Sequence, residues 1–151
     1  MNSNLVVTFL NGIPNKYPIL TLEKNDNESL NKFKVAAKES ELLFVDIDTS
    51  TCEVEDFEGL PFTDKVTGEP TSFMPYWWPK DKNSKGVLFL NNVGLSSIEV
   101  KMPLFELIFS YRIEDNILPE GWRVVAAINS KSDNMELISL MSGRCFVLRE
   151  D

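Results

Sequence analysis

Residues 86–92 read Gly-Val-Leu-Phe-Leu-Asn-Asn. Apolar residues in unbroken succession, opened by a glycine and closed by amides, lack the alternation of a strand with one wet face. The pattern predicts a strand buried on both sides. Such strands belong to parallel sheets covered by helices. The two amides at its carboxyl end, Asn91 and Asn92, then fall where open parallel sheets place their ligands.

The flanking sequence supplies further elements. Ile19–Leu22 reads as a short buried strand and Leu42–Ile47 as another. Between them Leu30, Phe33, Val35, Ala36 and Ala37 recur near the helical period, with Lys32, Lys34 and Lys38 interleaved. Asp26 or Asn27 is the candidate cap. Strand, helix and strand within roughly 30 residues make a βαβ unit. Trp122–Ile128, closed by Asn129, reads as a fourth strand and Cys145–Leu148 as a fifth. Ser96-Ser97 can cap a helix that places Ile98, Met102, Phe105, Ile108 and Phe109 on one face. Met102, Phe105 and Phe109 are read as core, and Pro103 predicts a kink or a later start. Asn134–Met141 reads as a short helix ended by Gly143, and Tyr111–Pro119 as a hairpin or loop. The run from Asn4 to Leu10 is too short to choose between helix and strand. Thr49–Ser84 is long and irregular, and it holds the cluster Phe73-Met-Pro-Tyr-Trp-Trp78. A stretch of that kind hides a short helix or carries function.

Composition narrows the chemistry. At 151 residues the chain is read as one domain. Its net charge of −8 argues against nucleic acid or an anionic membrane as partner. No apolar run is long enough to span a bilayer, and the first residues lack the pattern of a secretory signal, so the expected location is cytoplasmic. There is no histidine, which removes the commonest general base, the commonest zinc ligand and every imidazole triad. Cys52 and Cys145 read as reduced thiols.

The order of residues from Leu60 onward resembles MoxR-like AAA+ ATPases. The resemblance is carried by Leu60-Pro61, Asp64-Lys65, Pro75, Trp78-Pro79, Lys85–Leu90, Glu99-Val100, Leu107-Ile108, Arg112-Ile113 and Leu118–Ala127 followed by Asn129. Its most specific piece is Leu-Pro-Glu-Gly-Trp-Arg-Val-Val-Ala-Ala, then the asparagine. It runs to about Phe146 and extends more weakly upstream, through Pro18–Leu22 and Leu42–Ile47. The resemblance implies a three-layer α/β sandwich around a parallel five-stranded sheet of order 5-1-4-3-2. It implies one core domain over residues 1–151, without the family's small helical lid.

The family's phosphate-binding loop needs glycines, so that backbone N–H groups reach the phosphates, and then Lys-Ser/Thr for the terminal phosphates and Mg²⁺. The matching segment here is Glu23-Lys-Asn-Asp-Asn-Glu-Ser29, and no glycine stands between Gly12 and Gly59. Lys24 is at the wrong end. Glu28 falls close to the lysine's place, where a carboxylate repels phosphate, and Ser29 keeps only the hydroxyl. The family's next catalytic pair is Asp-Glu, one for Mg²⁺ and one for the attacking water. Asn91-Asn92 stand there, and an amide is a poor Mg²⁺ ligand and no base. Asn129 matches the polar residue that senses the γ-phosphate, with simple bonding to a neighbouring loop as its competing reading. Arg144 resembles the arginine finger that reaches a neighbouring subunit's site, although Cys145 separates it from Phe146. Its competing reading is a solvated arginine at a helix end.

The expectation is therefore a pseudo-ATPase without catalytic residues or cofactor. It would act as a structural or assembly subunit, as a homo-oligomer or beside an active AAA+ paralogue to which it lends Arg144. Tyr76, Trp77 and Trp78 form a candidate partner loop, with packing over the sheet edge as the competing reading. A second expectation is a monomeric binding protein or decoy that imitates an AAA+ surface. It would be phage-encoded in one version and so placed in the virion or host cytoplasm. A third is residual nucleotide sensing without a phosphate grip. A metal-nuclease reading of Asp46, Asp48, Glu53, Glu55 and Asp56, with the Glu99-x-Lys101 spacing, conflicts with the acidic surface, and these acids read better as a solvated loop.

Overall fold

A computed structural model of the chain describes residues 3–149, apart from residues 59, 64, 65, 67 and 69. The elements in chain order begin with α1 (Ser3–Gly12), β1 (Ile19–Glu23), α2 (Leu30–Glu39) and β2 (Leu43–Asp48). A 3₁₀ turn (Thr49–Thr51), the one-turn helix α3 (Glu55–Glu58) and a hairpin of β3 (Leu60–Thr63) and β4 (Pro70–Met74) follow. Then come β5 (Lys85–Asn91), a 3₁₀ turn (Val93–Leu95), α4 (Ile98–Ser110) and the small hairpin of β6 (Arg112–Ile113) and β7 (Asn116–Ile117). The chain continues through β8 (Gly121–Asn129), a 3₁₀ turn (Ser132–Asn134), α5 (Met135–Ser142) and β9 (Phe146–Arg149).

β1, β2, β5, β8 and β9 form one sheet in the order β2-β5-β8-β1-β9, with every pair parallel. Counted along the chain, this is the order 5-1-4-3-2 that the resemblance implies, in a three-layer α/β core. The apolar runs explain it. β5 is buried at every position after Lys85, and β8 is buried from Trp122 to Ile128. Successive side chains of a strand point to opposite faces, so each face receives half of these runs. Leu20, Leu88, Leu90, Val124, Ala126 and Ile128 face α4, α5 and the aromatic residues Phe57, Trp77 and Trp78. Ile19, Val87, Phe89, Val125 and Ala127 face α1 and α2. Each fully buried Val, Leu or Phe contributes roughly 1.5–3 kcal/mol, so these strands anchor the domain. The glycine that opens β5 makes room for one ring. A Cβ on Gly86 would lie 2.6 Å from the Trp122 indole, whose N–H donates to Ser84 Oγ at 2.9 Å.

Four local expectations resolve. The first apolar run is a helix, and Val6 and Leu10 of α1 pack with Phe33, Ala36 and Ala37 of α2. The irregular stretch holds α3 and a hairpin; Asp64 and Lys65, which carry part of the resemblance, lie outside the described residues. Neither Asp26 nor Asn27 caps α2. Ser29 occupies that position without a side-chain bond to the helix's own N–H groups, and Asn27 is left-handed at φ 65°. On α4 the core face is turned from the expected one. Val100, Leu104, Leu107 and Ile108 are buried, Phe105 and Phe109 are half-buried, and Met102 and Ile98 are 77% and 81% exposed. The helix is apolar nearly all round, so periodicity alone does not choose its inner face. It begins at the Ser97 cap, whose Oγ accepts from Val100 N–H, and it runs through Pro103 to Ser110.

Among the described residues two ionisable side chains are buried, Glu23 and Arg123. Arg123 on β8 is 1% exposed. Its Nη1 donates to the carbonyls of Pro14 (2.8 Å) and Tyr17 (2.6 Å), and its Nη2 donates to that of Ile13. The guanidinium thus ties the α1–β1 loop to the centre of the sheet.

Candidate functional site

Parallel strands deliver their carboxyl ends to one edge, and the register sets who meets there. Glu23 at the end of β1 stands opposite Asn129 at the end of β8, and Asp48 at the end of β2 stands opposite Asn91 at the end of β5. Glu28, Ser29, Asn91, Asn92 and Asn129 are thereby gathered at one end of the sheet, although they come from distant parts of the sequence.

Most of their side-chain polar groups are engaged with neighbouring residues of the chain. The segment Lys24–Ser29 folds so that Glu28 Oε2 accepts the N–H groups of Lys24 (3.1 Å) and Asn25 (3.2 Å). Glu23 Oε1 accepts Ser29 N–H at 2.9 Å, at the amino end of α2. Two internal carboxylates therefore hold backbone donors of the kind that a phosphate-cradling loop offers to its ligand. The Ser29 hydroxyl is fully buried and lies 3.0 Å from Thr21 Oγ1. Asn91 Nδ2 donates to Asn27 Oδ1 at 2.6 Å, and Thr49 Oγ1 donates to the Asn91 carbonyl at 2.8 Å. Asn92 is left-handed at φ 56°, a conformation that asparagine tolerates better than most residues. Its Nδ2 donates to Asp48 Oδ1 at 3.0 Å. Asn129 Nδ2 donates to Asp26 Oδ1 at 2.9 Å, and its carbonyl accepts from Asn134 Nδ2 at 3.0 Å. Its Oδ1 is buried without a hydrogen-bond partner.

A cavity of about 60 Å³, lined in part by Asp26, Asn92, Asn129, Asp133 and Asn134, lies at this end of the sheet. Small-molecule sites run to roughly 300–1,000 Å³. Sequence reading missed Glu23, Asn27 and Asp48 as members of this network. An acid closing an otherwise apolar strand was a signal for Glu23. The left-handed turn that aims Asn27 at Asn91 leaves no comparable mark.

The electrostatics follow from burial. Glu23 is 2% exposed, and burial raises its carboxyl above the usual 4.5, opposed by hydrogen bonds from Ser29 and Asn27 and aided by the charge of Asp26. Burial also acts to raise Asp48, but bonds from Ser50 and Asn92 outweigh it and hold that carboxyl below its usual range. For Glu23 the charged form is the disfavoured one in the folded chain. The penalty is absent below the unfolded value and grows as pH rises through the folded one. Glu23→Gln keeps an oxygen for Ser29 N–H and removes the charge. It is expected to match the parent's thermal midpoint near pH 4 and to exceed it at pH 7. A variant that is less stable at pH 7 would show instead that the carboxylate's hydrogen bonds outweigh its burial.

The other candidates lie elsewhere. Trp77 and Trp78 are 9% and 5% exposed and belong to the core. Trp77 meets Phe57 edge-on, with ring centroids 5.9 Å apart, and donates its indole N–H to the Asp56 carbonyl. Of the candidate partner loop only Tyr76 is on the surface, at 71% exposed. Arg144 is exposed, with its guanidinium 4.9 Å from the Phe109 ring centroid. Among the described residues no three acidic, thiol or imidazole groups converge as metal ligands would. Cys52 and Cys145 are unpaired, and burial pushes both thiols up to about 11, so neither is a thiolate at neutral pH. Among the described residues no helix is long and apolar enough to cross a membrane.

No family model matches the chain, and no curated protein matches it. Solved structures do. NtrX from Brucella abortus aligns over 99% of this chain and 36% of its own, with 11% identity and a TM-score of 0.58. A "putative ATPase" from Cytophaga hutchinsonii aligns over 85% of this chain and 37% of its own, with 17% identity and a TM-score of 0.53. NtrX solved with ATP aligns over 97% of this chain and 34% of its own, with 12% identity and a TM-score of 0.56. The chain thus spans about a third of the length of the solved chains it matches. At these identities the likeness is one of fold, a three-layer α/β core around a parallel five-stranded sheet.

Proposed function

We propose that the chain is a catalytically inactive, AAA+-like protein, a pseudo-ATPase that serves as a structural or assembly subunit. It would associate through AAA+-type subunit surfaces, with copies of itself or beside an active AAA+ partner that receives Arg144. The observation that carries this reading is the closed network at the carboxyl end of the sheet. Glu28 and Glu23 occupy backbone donors, Asn91 and Asn92 bond to Asn27 and Asp48, and the cavity beside Asn92 and Asn129 is about 60 Å³. A triphosphate entering there would have to displace two carboxylates of its own sign of charge.

ATP is the probe to apply, since NtrX among the fold neighbours has been solved with ADP and with ATP. A ligand present at about 100 times its Kd stabilises a protein by roughly 2.7 kcal/mol, which in a domain of this size moves the thermal midpoint by several degrees. Millimolar ATP with Mg²⁺ is expected to move it by less than about 1 °C, within the scatter of such a measurement. A shift of several degrees would overturn the reading. Native mass spectrometry without nucleotide tests the assembly half, with a closed ring or filament expected. The stacking of Arg144 on Phe109 of its own chain favours the alternative, a monomeric binding protein or decoy, and a clean monomer would select it.

A further inference from the structure

We infer that the groove between α3, the outer face of α4 and the β6–β7 hairpin is a docking site for a basic amphipathic segment of a partner protein. It is a cavity of about 350 Å³ with an apolar floor of Val54, Phe57, Pro103 and Ile113. Met102 forms one wall while remaining 77% exposed, and Ile98, four residues before it on the same helix, is 81% exposed. Residues at that spacing are neighbours on a helix surface, so the apolar strip continues from the groove along α4. Large side chains left in water beside an open groove are the part of this surface that the chain's own packing does not explain.

The rim decides the occupant. Glu58, Glu99, Glu106 and Glu114 all line the groove and are exposed, and among the described residues no lysine or arginine lines it. Two bases adjacent to it in sequence are held on main-chain carbonyls, one of them that of the groove residue Glu114. The Arg112 guanidinium donates to the Glu114 carbonyl at 2.8 and 3.0 Å, and the Lys101 ammonium donates to the Ser96 carbonyl. An apolar floor ringed by carboxylates complements a segment with apolar anchors on one side and Lys or Arg on the other. A second copy is disfavoured, because a chain of net charge −8 would bring like charge to this rim. The groove shares no residue with the network at the sheet's carboxyl end, so docking here and nucleotide binding there can be tested separately.

The test is a fluorescence-anisotropy titration of the full chain with a labelled helical peptide of roughly 18 residues, leucine on one face and lysine on the other. Two control peptides replace all lysines by glutamate, or all leucines by serine. The Leu/Lys peptide is expected to bind and both controls to fail. Met102→Asp is expected to weaken binding by about tenfold or more, as loss of a central anchor does. Glu58→Gln with Glu99→Gln is expected to weaken it and to reduce its salt dependence. Both variants alter exposed side chains, and an unchanged thermal midpoint shows that they fold. In ¹⁵N–¹H spectra the peptide should perturb amides within residues 54–58, 98–106 and 112–114. Equal binding of the Leu/Lys peptide to Met102→Asp, equal binding of the serine control, or perturbed amides elsewhere would each overturn the assignment. So would a self-association of the parent chain that Met102→Asp abolishes, which would give the face to a second copy.

Discussion

Arg123→Met is expected to destabilise the fold by about 3–5 kcal/mol, at roughly 1–3 kcal/mol for each buried carbonyl left without this donor. Methionine retains an apolar stem to fill the site, so most of the loss would come from the fork. The guanidinium holds three carbonyls of the α1–β1 loop, from Ile13, Pro14 and Tyr17, and it does so from a strand buried on both faces. Without it the Ile13 and Tyr17 carbonyls lose this donor, the Pro14 carbonyl keeps only the Tyr17 N–H, and α1 is held by the apolar contacts of Val6, Val7, Phe9 and Leu10 and by the bond from Asn15 Nδ2 to the Glu120 carbonyl. The donors of this fork meet carbonyl dipoles rather than a carboxylate. Burial lowers the pKa of Arg123, while the neighbouring Tyr111, whose own phenol burial pushes up to about 12, acts to raise it. In a domain of this size each kcal/mol moves the thermal midpoint by roughly 2–4 °C, so a fall of about 10 °C is expected. Arg123→Lys keeps the charge but not the planar fork, and should recover only part of the loss. Urea unfolding of the two variants measures this. A methionine variant within about 1 kcal/mol of the parent would mean that the fork adds little beyond solvation of the loop.

This arginine also marks what a linear reading can and cannot reach. Trp122–Ile128 is legible as a buried strand even with Arg123 inside it, because the apolar residues around it outnumber one charge. The partners of that charge are not legible, since they are main-chain carbonyls more than 100 positions away whose placement depends on the α1–β1 loop. The same division runs through the rest of the molecule. β5 and β8 announce themselves because burial on both faces requires continuous apolar runs, and the sheet order follows from the resemblance those runs carry. The inner face of α4 does not announce itself, because a helix apolar on nearly every side has no pattern to read, and the sheet's position settles that Met102 stays outside. At the site, Glu28, Ser29, Asn91, Asn92 and Asn129 are readable as one group, since parallel strands bring their carboxyl ends together. Their bonding is not. Asn27 reaches Asn91 through a left-handed turn, and Asn92 reaches Asp48 through another, and neither conformation follows from residue type.

Asn91→Asp with Asn92→Glu restores the two acids that the resemblance associates with Mg²⁺ and the attacking water, and it is expected to produce no ATP turnover. The acids would stand beside a loop with no glycine, in which Glu28 holds the N–H groups of Lys24 and Asn25 and Glu23 holds that of Ser29. Nothing in that loop supplies the lysine that meets the terminal phosphates. The double variant should also lose stability, by about 1–3 kcal/mol, through the strain and the lost bonds together. Position 92 is left-handed, where glutamate is strained by roughly 1 kcal/mol more than asparagine. Its new carboxylate would face Asp48, which now receives a hydrogen bond from Asn92. An aspartate at position 91 would have no N–H to donate to Asn27, although the Asn27 amide can turn to donate in its place. Phosphate release and thermal midpoint, measured on the same preparation, separate the two effects. A folded double variant that hydrolyses ATP, with the activity lost on adding Ser29→Ala, would show that the loop still grips phosphate and that the amides alone silence the site. A folded double variant that remains inert is the outcome expected if the chain is the proposed pseudo-ATPase, whose glycine-free loop the two substitutions leave unchanged.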